Sequence, residues 1–247
     1  MRRTLGSRSN AILSPHFAAL LPLLVVGIAT VSVPRTAKAD EVFNTDFSKG
    51  TFDTLGWTAK GDWSIVDLGA DHPDIANNPG PVAKFPAHSK KAGLLSKTFP
   101  TLNNPANLKL TFDGGYGWGK ATQSQALEIM LLDADGNGYV FDVHRYNATW
   151  GVQYAVVSQY GYNNPLTWAP APVDTSQKAV MDGGGLRTFT ITRDGQGNFT
   201  FDGDGWTGAN PVKFQDTTTT SFSQVVLYGT PNIDDLLYNK IKLEAGK

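Results

Sequence analysis

The chain has no cysteine in 247 residues. That excludes disulfide bridges, thiolate metal sites and a lipid-modified N-terminal cysteine, so stability has to come from packing, with bound ions as the available supplement. Glutamate is scarce too: Glu41, Glu128 and Glu244 stand against nineteen aspartates. Aspartate suits turns and calcium loops whereas glutamate favours helices, so the imbalance speaks for strands joined by turns. Beyond residue 40 no apolar pattern of helical period is sustained. Nor is any later run apolar enough for a membrane span of roughly 20 residues.

The chain opens instead on an export pattern. Arg2, Arg3 and Arg8 precede an uncharged apolar stretch from Phe17 to Val33, and Ala37-Lys38-Ala39 follows before Asp40. A basic segment, an apolar segment and a small-x-small site in that order predict a signal peptide, residues 1–39, cleaved after Ala39, and hence a secreted or periplasmic protein. The 208 residues from Asp40 onward carry sixteen basic and twenty-two acidic side chains, a net charge of −6. Such a surface repels nucleic acid and anionic lipid.

Residues 40–247 hold no linker and no abrupt change of composition, which predicts one domain. Short alternating segments end in Gly/Asp/Asn turns, and eleven of them read as strands: 41–47, 63–67, 93–99, 108–112, 126–132, 139–146, 152–160, 187–193, 198–202, 222–228 and 236–244. An all-β, two-sheet antiparallel sandwich is the predicted class. Two hairpins are the clearest local features. In the first, the turn Asp135-Gly136-Asn137-Gly138 is expected to pair Leu131 with Val143, placing Leu127, Ile129, Leu131, Phe141 and Val143 on a core face. The other face then carries Glu128 opposite Tyr146 and Met130 opposite His144, together with Asp142. The second hairpin turns at Asp194-Gly195-Gln196-Gly197, with Phe189, Ile191, Phe199 and Phe201 inward and Thr188, Thr190, Thr192 and Thr200 outward. Long loops are expected at 69–91, 113–125 and 161–185.

The opening Phe43-Asn44-Thr45-Asp46-Phe47-Ser48-Lys49-Gly50, with Gly56-Trp57 and Asp62-Trp63-Ser64 after it, resembles the first strands of concanavalin A-like (laminin G-like) jelly-roll domains. So do RTFTITRDGQGNFTFDGDGW at 187–206 and FSQVVLYGTPNIDDLLYNKIKLEA at 222–245. The resemblance implies two antiparallel sheets with a concave face used to bind or cleave polysaccharides. It also implies a structural calcium between the first and last strands, for which Asp46, Asp234 and Asp235 are the candidates. The glucanase branch of this superfamily carries a Glu-x-Asp-x-x-Glu strand; here Glu128 is followed by Ile129, Met130 and Leu131, which speaks against that chemistry. Asp133 to Gly138 matches the first half of a calcium loop, but position 12 is His144, so it reads as a plain turn.

A sugar site needs flat aromatic faces for CH surfaces and fixed polar groups for hydroxyls. Tyr116, Trp118 and Trp168 in loops, with Glu128, Asp142 and His144 on the outward face, are the candidate ligand-binding residues, whereas Trp57, Trp63 and Trp206 read as core. The expected function is secreted, non-catalytic binding of a glycan or polysaccharide. The enzymatic alternative is a polysaccharide lyase in which His144 and Tyr146 share proton abstraction and leaving-group protonation. That reading departs from the jelly-roll alginate lyases, whose Gln-x-His strand is replaced here by Asp142-Val143-His144. A structural surface or adhesion role is the third.

Overall fold

A strand with one apolar face is stable only when that face is covered, and here two sheets cover each other. The structure, a computed structural model, describes residues 39–71, 80–117, 125–146, 149–157, 179–180, 185–203, 211–230 and 234–246. Fifteen strands lie among them: β1 (Asp40–Asp46), β2 (Thr58–Lys60), β3 (Ser64–Asp67), β4 (Pro81–Phe85), β5 (Gly93–Asn103), β6 (Asn107–Tyr116), β7 (Gln125–Leu132), β8 (Gly138–Tyr146), β9 (Thr149–Val157), β10 (Ala179–Val180), β11 (Gly185–Asp194), β12 (Asn198–Gly203), β13 (Val212–Gln215), β14 (Ser221–Gly229) and β15 (Leu236–Gly246).

One sheet runs β13, β12, β11, β6, β15, β4, β3, and β1 shares the free edge of β15 with β4. The other runs β10, β9, β8, β7, β14, β5, β2, and every pairing in both sheets is antiparallel. Phe112, Phe189, Phe201 and Ile241 from the first sheet meet Leu127, Ile129, Phe141 and Leu227 from the second in one core. Phe112 stacks on Phe189 at 5.1 Å between ring centroids, and Phe141 meets Phe201 edge-on at 5.6 Å. Trp57 and Trp63 are buried as expected, and the Trp57 indole N–H donates to Thr45 Oγ1 at 3.0 Å. Among the described residues no helix is long and apolar enough to cross a membrane.

The second hairpin folds as read: Ile191 pairs with Phe201, the four apolar residues are buried, and the Asp194 carboxylate holds the turn by accepting from the backbone N–H groups of Gln196 and Asn198. The first has a different register. Leu131 pairs with Tyr139, Leu127 with Val143, Met130 with Val140 and Glu128 with Asp142. The Asp133 carboxylate accepts from the N–H groups of Asp135 and Asn137 at 2.9 and 2.8 Å, which makes residues 133–137 the tip and starts the pairing at Leu132–Gly138. Because the displacement is an even number of residues, every side chain keeps its face, and only its partner changes.

Four strands were not expected. β2, β10 and β13 are short segments at sheet ends, and β4 lies inside the stretch 69–91 that reads as loop. β4 has no alternation to detect because it pairs on both sides, with β3 and β15, and buries residues on both faces. β6 likewise runs on through Gly114 and Gly115, since β11 and β15 hydrogen-bond to both of its edges. That two-sided pairing outweighs the low strand preference of glycine. The strand expected at 152–160 is β9, three residues earlier.

Candidate functional site

The alternation that sends Leu127, Ile129 and Leu131 into the core sends Glu128, Met130 and Leu132 to the outer face of the seven-stranded sheet. Register then aligns Leu94, Tyr228, Glu128, Asp142 and Gln153 in one row across β5, β14, β7, β8 and β9. The next row holds Ser96, Val226, Met130, Val140 and Ala155. Leu94, Met130, Leu132, Val140 and Val226 form an apolar cluster separate from the sandwich core, and Tyr228 packs against it. The two carboxylates therefore lie in apolar surroundings: Glu128 is 3% exposed and Asp142 1%.

Burial costs a carboxylate its hydration, and a second carboxylate across the strand pair adds repulsion. Both effects, burial first, push the Glu128 carboxyl well above its ordinary range. The phenol of half-buried Tyr228 is raised as well, by burial and then by the Glu128 charge, so the two groups lie within electrostatic reach. Glu128 Oε2 is buried and has no hydrogen-bond partner among the described residues.

Two tyrosines of the eight-stranded sheet set the backbone at this point. Tyr116, at the end of β6, is fully buried; its hydroxyl donates to the Val143 carbonyl and accepts from the Leu127 N–H at 3.1 Å. Leu127 and Val143 are opposite one another, one residue from Glu128 and Asp142, so the hydroxyl bridges β7 and β8 beside the carboxylate pair. The Tyr238 hydroxyl donates to the Glu128 carbonyl at 3.3 Å. Tyr116 is thus a strand-positioning residue, not the loop aromatic that its glycine-rich neighbourhood suggested. Tyr116→Phe is expected to cost about 1–3 kcal/mol, the range for leaving buried polar groups short of a partner, measured by urea denaturation.

A cavity of about 400 Å³ lies on the other sheet, lined by Lys109, Thr192, Asp194, Asn198 and Thr200 among others. The Asp194 carboxylate there is already occupied by its turn, and the cavity lies on the face that reads as inert.

The sequence matches no protein-family profile and no curated protein. Solved structures do match in three dimensions. The carbohydrate esterase vb_24B_21 of the Shiga toxin-encoding bacteriophage phi24B aligns with a TM-score of 0.56 at 13% identity, over 85% of this chain and 100% of that one. The CBM2 module of the evolved Dit protein of Lactobacillus casei BL23 phage J-1 aligns at 0.55 and 13%, over 85% and 98%. The exoplasmic/lumenal domain of VIP36, in its Ca2+/Man3GlcNAc-bound form, aligns at 0.51 and 9%, over 83% and 89%. The fold is the concanavalin A-like β-sandwich. At these identities the likeness establishes the fold alone.

Two of the expected calcium ligands, Asp46 and Asp235, are engaged by the protein's own donors. Asp46 stands opposite Lys240 on β15 and caps the short helical turn 47–49, accepting from Ser48 N–H at 3.0 Å with Lys49 3.6 Å away. Partial burial would raise its carboxyl, but the Ser48 hydrogen bonds and the Lys49 and Lys240 charges outweigh that and hold it below the usual value. Asp235 accepts from the Ala87 N–H at 2.6 Å and pairs with Lys84 at 3.5 Å, and Asp234 is buried beside it in sequence. The Asp46 and Asp235 carboxylates already serve the protein's own donors. Among the described residues no group of three or more His, Asp or Glu side chains is gathered for a metal.

Of the remaining candidates, Glu128 and Asp142 are brought together as direct cross-strand partners. His144 sits two positions beyond Asp142 on β8, opposite Ala126 and Gly151, and Tyr146 lies opposite Thr149; their side chains lie outside the description. Trp118, Trp168 and the expected core residue Trp206 are outside the described residues. Tyr228 and Tyr238 were missed. Tyr238 follows Leu236 and Leu237 and is indistinguishable from core by pattern, and only the register of β14 reveals that Tyr228 neighbours Glu128.

Proposed function

We propose that residues 40–247 form a secreted, non-catalytic carbohydrate-binding domain that takes its glycan on the outer face of the seven-stranded sheet. The observation that carries this is Tyr228, a half-buried phenol ring on a face the sandwich core does not use, in the same row as the buried Glu128 and Asp142. An aromatic ring covers the CH surface of a sugar, and a phenol hydroxyl exchanges hydrogen bonds with the sugar's own. The structural neighbours support the reading, since VIP36 is described with a bound Man3GlcNAc and Emp47p as a carbohydrate recognition domain. Trp118, Trp168 and His144 are proposed as further contacts from their sequence setting, and residues 1–39 as the removed export signal.

Chromatography on immobilised polysaccharides tests the function. Wild-type protein is expected to be retained, and Trp118→Ala and His144→Ala to abolish retention while leaving the circular dichroism spectrum unchanged. Failure of the wild type to bind any glycan in a broad panel would remove the reading. Release of unsaturated uronate from alginate, lost in His144→Ala, would move the protein to the lyase class. N-terminal sequencing of the exported protein is expected to begin at Asp40.

A further inference from the structure

The threonines on the outer face of the eight-stranded sheet read as inert, but register builds a cavity among them. Thr200, Thr192 and Lys109 stand side by side on β12, β11 and β6, and Asp194 stands opposite Asn107 two residues along. With Asn198 they line the cavity of about 400 Å³, within the range of about 300–1,000 Å³ for small-molecule sites. The acids nearby are already taken up. The Asp194 carboxylate accepts from the N–H groups of Gln196 and Asn198, both at 2.9 Å, and from the Asn198 side-chain amide at 2.8 Å. Glu244, opposite Lys109 on β15, is paired with Lys242 at 2.8 Å. Arg193, also in the wall, turns its guanidinium to the core, over the Phe199 and Phe222 rings. Among the described residues nothing hydrogen-bonds to or pairs with the Lys109 ammonium, the Thr192 and Thr200 hydroxyls or the Asn107 amide.

We propose that this cavity binds a sugar carrying one acidic group, a carboxylate or a sulfate, at a site separate from the face that carries Tyr228. The Lys109 ammonium is a compact point charge for the acidic group. Threonine hydroxyls and an asparagine amide each donate and accept, as the ring hydroxyls of a sugar do. No residue of the lining is aromatic, so there is no platform for a nucleobase or a sugar CH face, and charge and hydroxyl contacts carry the recognition. Neighbouring strands lie about 4.7–4.9 Å apart, which sets Thr200 and Lys109 about 9.5 Å apart at the backbone. A ligand has to reach across two strand spacings to use both, which a sugar with an acidic substituent does and a bare inorganic anion does not. β6, β11 and β12 are each paired on both edges, so the three side chains stand on a fixed backbone. Ala39, the last residue of the proposed export signal, closes one side of the cavity. Its removal opens the mouth and leaves the lysine and threonine walls in place, so the site does not depend on that cleavage.

The test titrates the purified protein with glucuronate, galacturonate and glucose 6-sulfate, followed by calorimetry and by amide chemical shifts in NMR, with glucose and inorganic sulfate as comparisons. At least one of the three acidic sugars is expected to bind, to shift the amides of residues 107–109, 192–194 and 198–200, and to bind at least tenfold more tightly than glucose or inorganic sulfate. Binding of the uronates alone assigns the carboxylate, and binding of glucose 6-sulfate alone assigns the sulfate. Lys109→Met is expected to lower the affinity at least tenfold and Thr192→Val severalfold, with Tm unchanged, because Lys109 is exposed and valine keeps the β-branched shape. The proposal is overturned if none of the three acidic sugars binds, if glucose or inorganic sulfate binds as tightly, or if Lys109→Met leaves the affinity unchanged. Trp118 and His144 do not line this cavity, so Trp118→Ala and His144→Ala are expected to leave this binding intact. Failure here and failure of the glycan reading of the other sheet are thereby read separately.

Discussion

Phe141→Ala is expected to cost about 3–5 kcal/mol, the range for removing a fully buried phenylalanine. Its ring lies between the sheets with no exposure, 5.6 Å from Phe201, 5.9 Å from Phe199, 6.3 Å from Phe214 and 6.5 Å from Tyr139 between centroids. Four aromatic neighbours from both sheets cannot all shift into the space, so the cavity persists and its cost adds to the lost transfer free energy. For a domain stable by about 5–15 kcal/mol this is about a fifth or more of the total. Urea denaturation followed by tryptophan fluorescence reads it, and a loss below about 1.5 kcal/mol would show that the two sheets collapse onto one another freely. The consequence reaches the outer face, because Phe141 is the inward neighbour of Asp142 on β8 and anchors the strand that presents it.

Glu128→Gln is expected to raise stability at neutral pH, a reversal of the usual effect of substituting a buried residue. Burial, with the Asp142 charge added, lifts the folded-state carboxyl well above its ordinary range. The unfolded chain releases this proton near pH 4.3, the reference glutamate value, while the folded chain keeps it. Below about pH 4.3 the group is protonated in both states and the wild type bears no penalty from it. As pH rises from there towards the folded carboxyl's own pKa, the wild type loses about 1.4 kcal/mol per pH unit relative to the variant, and the difference then levels off. Chemical denaturation of both proteins across this window measures the difference, which cancels the contributions of Asp46, Asp194 and Asp216. Their carboxyls are held below the usual range, so their stabilising effect is lost in the opposite direction, as pH falls. Parallel curves for the two proteins would show that Glu128 titrates as an ordinary surface carboxylate.

Both predictions rest on which face of β7 and β8 a residue occupies, and that was legible from the chain. Leu127, Ile129, Leu131, Phe141 and Val143 alternate with Glu128, Met130 and Asp142, and side chains in a strand alternate faces whatever the partner strand does. The second hairpin was legible in full because Asp194 fixes its own turn through neighbouring backbone N–H groups, an interaction contained within five residues. The export pattern and the acidic balance of residues 40–247 are likewise properties of the chain alone.

What lies across from a residue was not legible. A shift in the tip at Asp133 leaves every face unchanged yet exchanges Tyr146 for Asp142 as the partner of Glu128, which turns an isolated glutamate into a buried like-charge pair. Tyr116, placed by its glycine neighbours in a binding loop, is drawn into β6 by two flanking strands, and its hydroxyl reaches a carbonyl twenty-seven residues away. Sequence by itself determined the strand class, the apolar faces and the turns, because these depend on local periodicity and on side chains that bond to their own backbone. Only the tertiary structure decided the carboxylate pair and the positioning tyrosines, because each depends on register between strands distant in the chain, where a step of two residues keeps the pattern and replaces the partner.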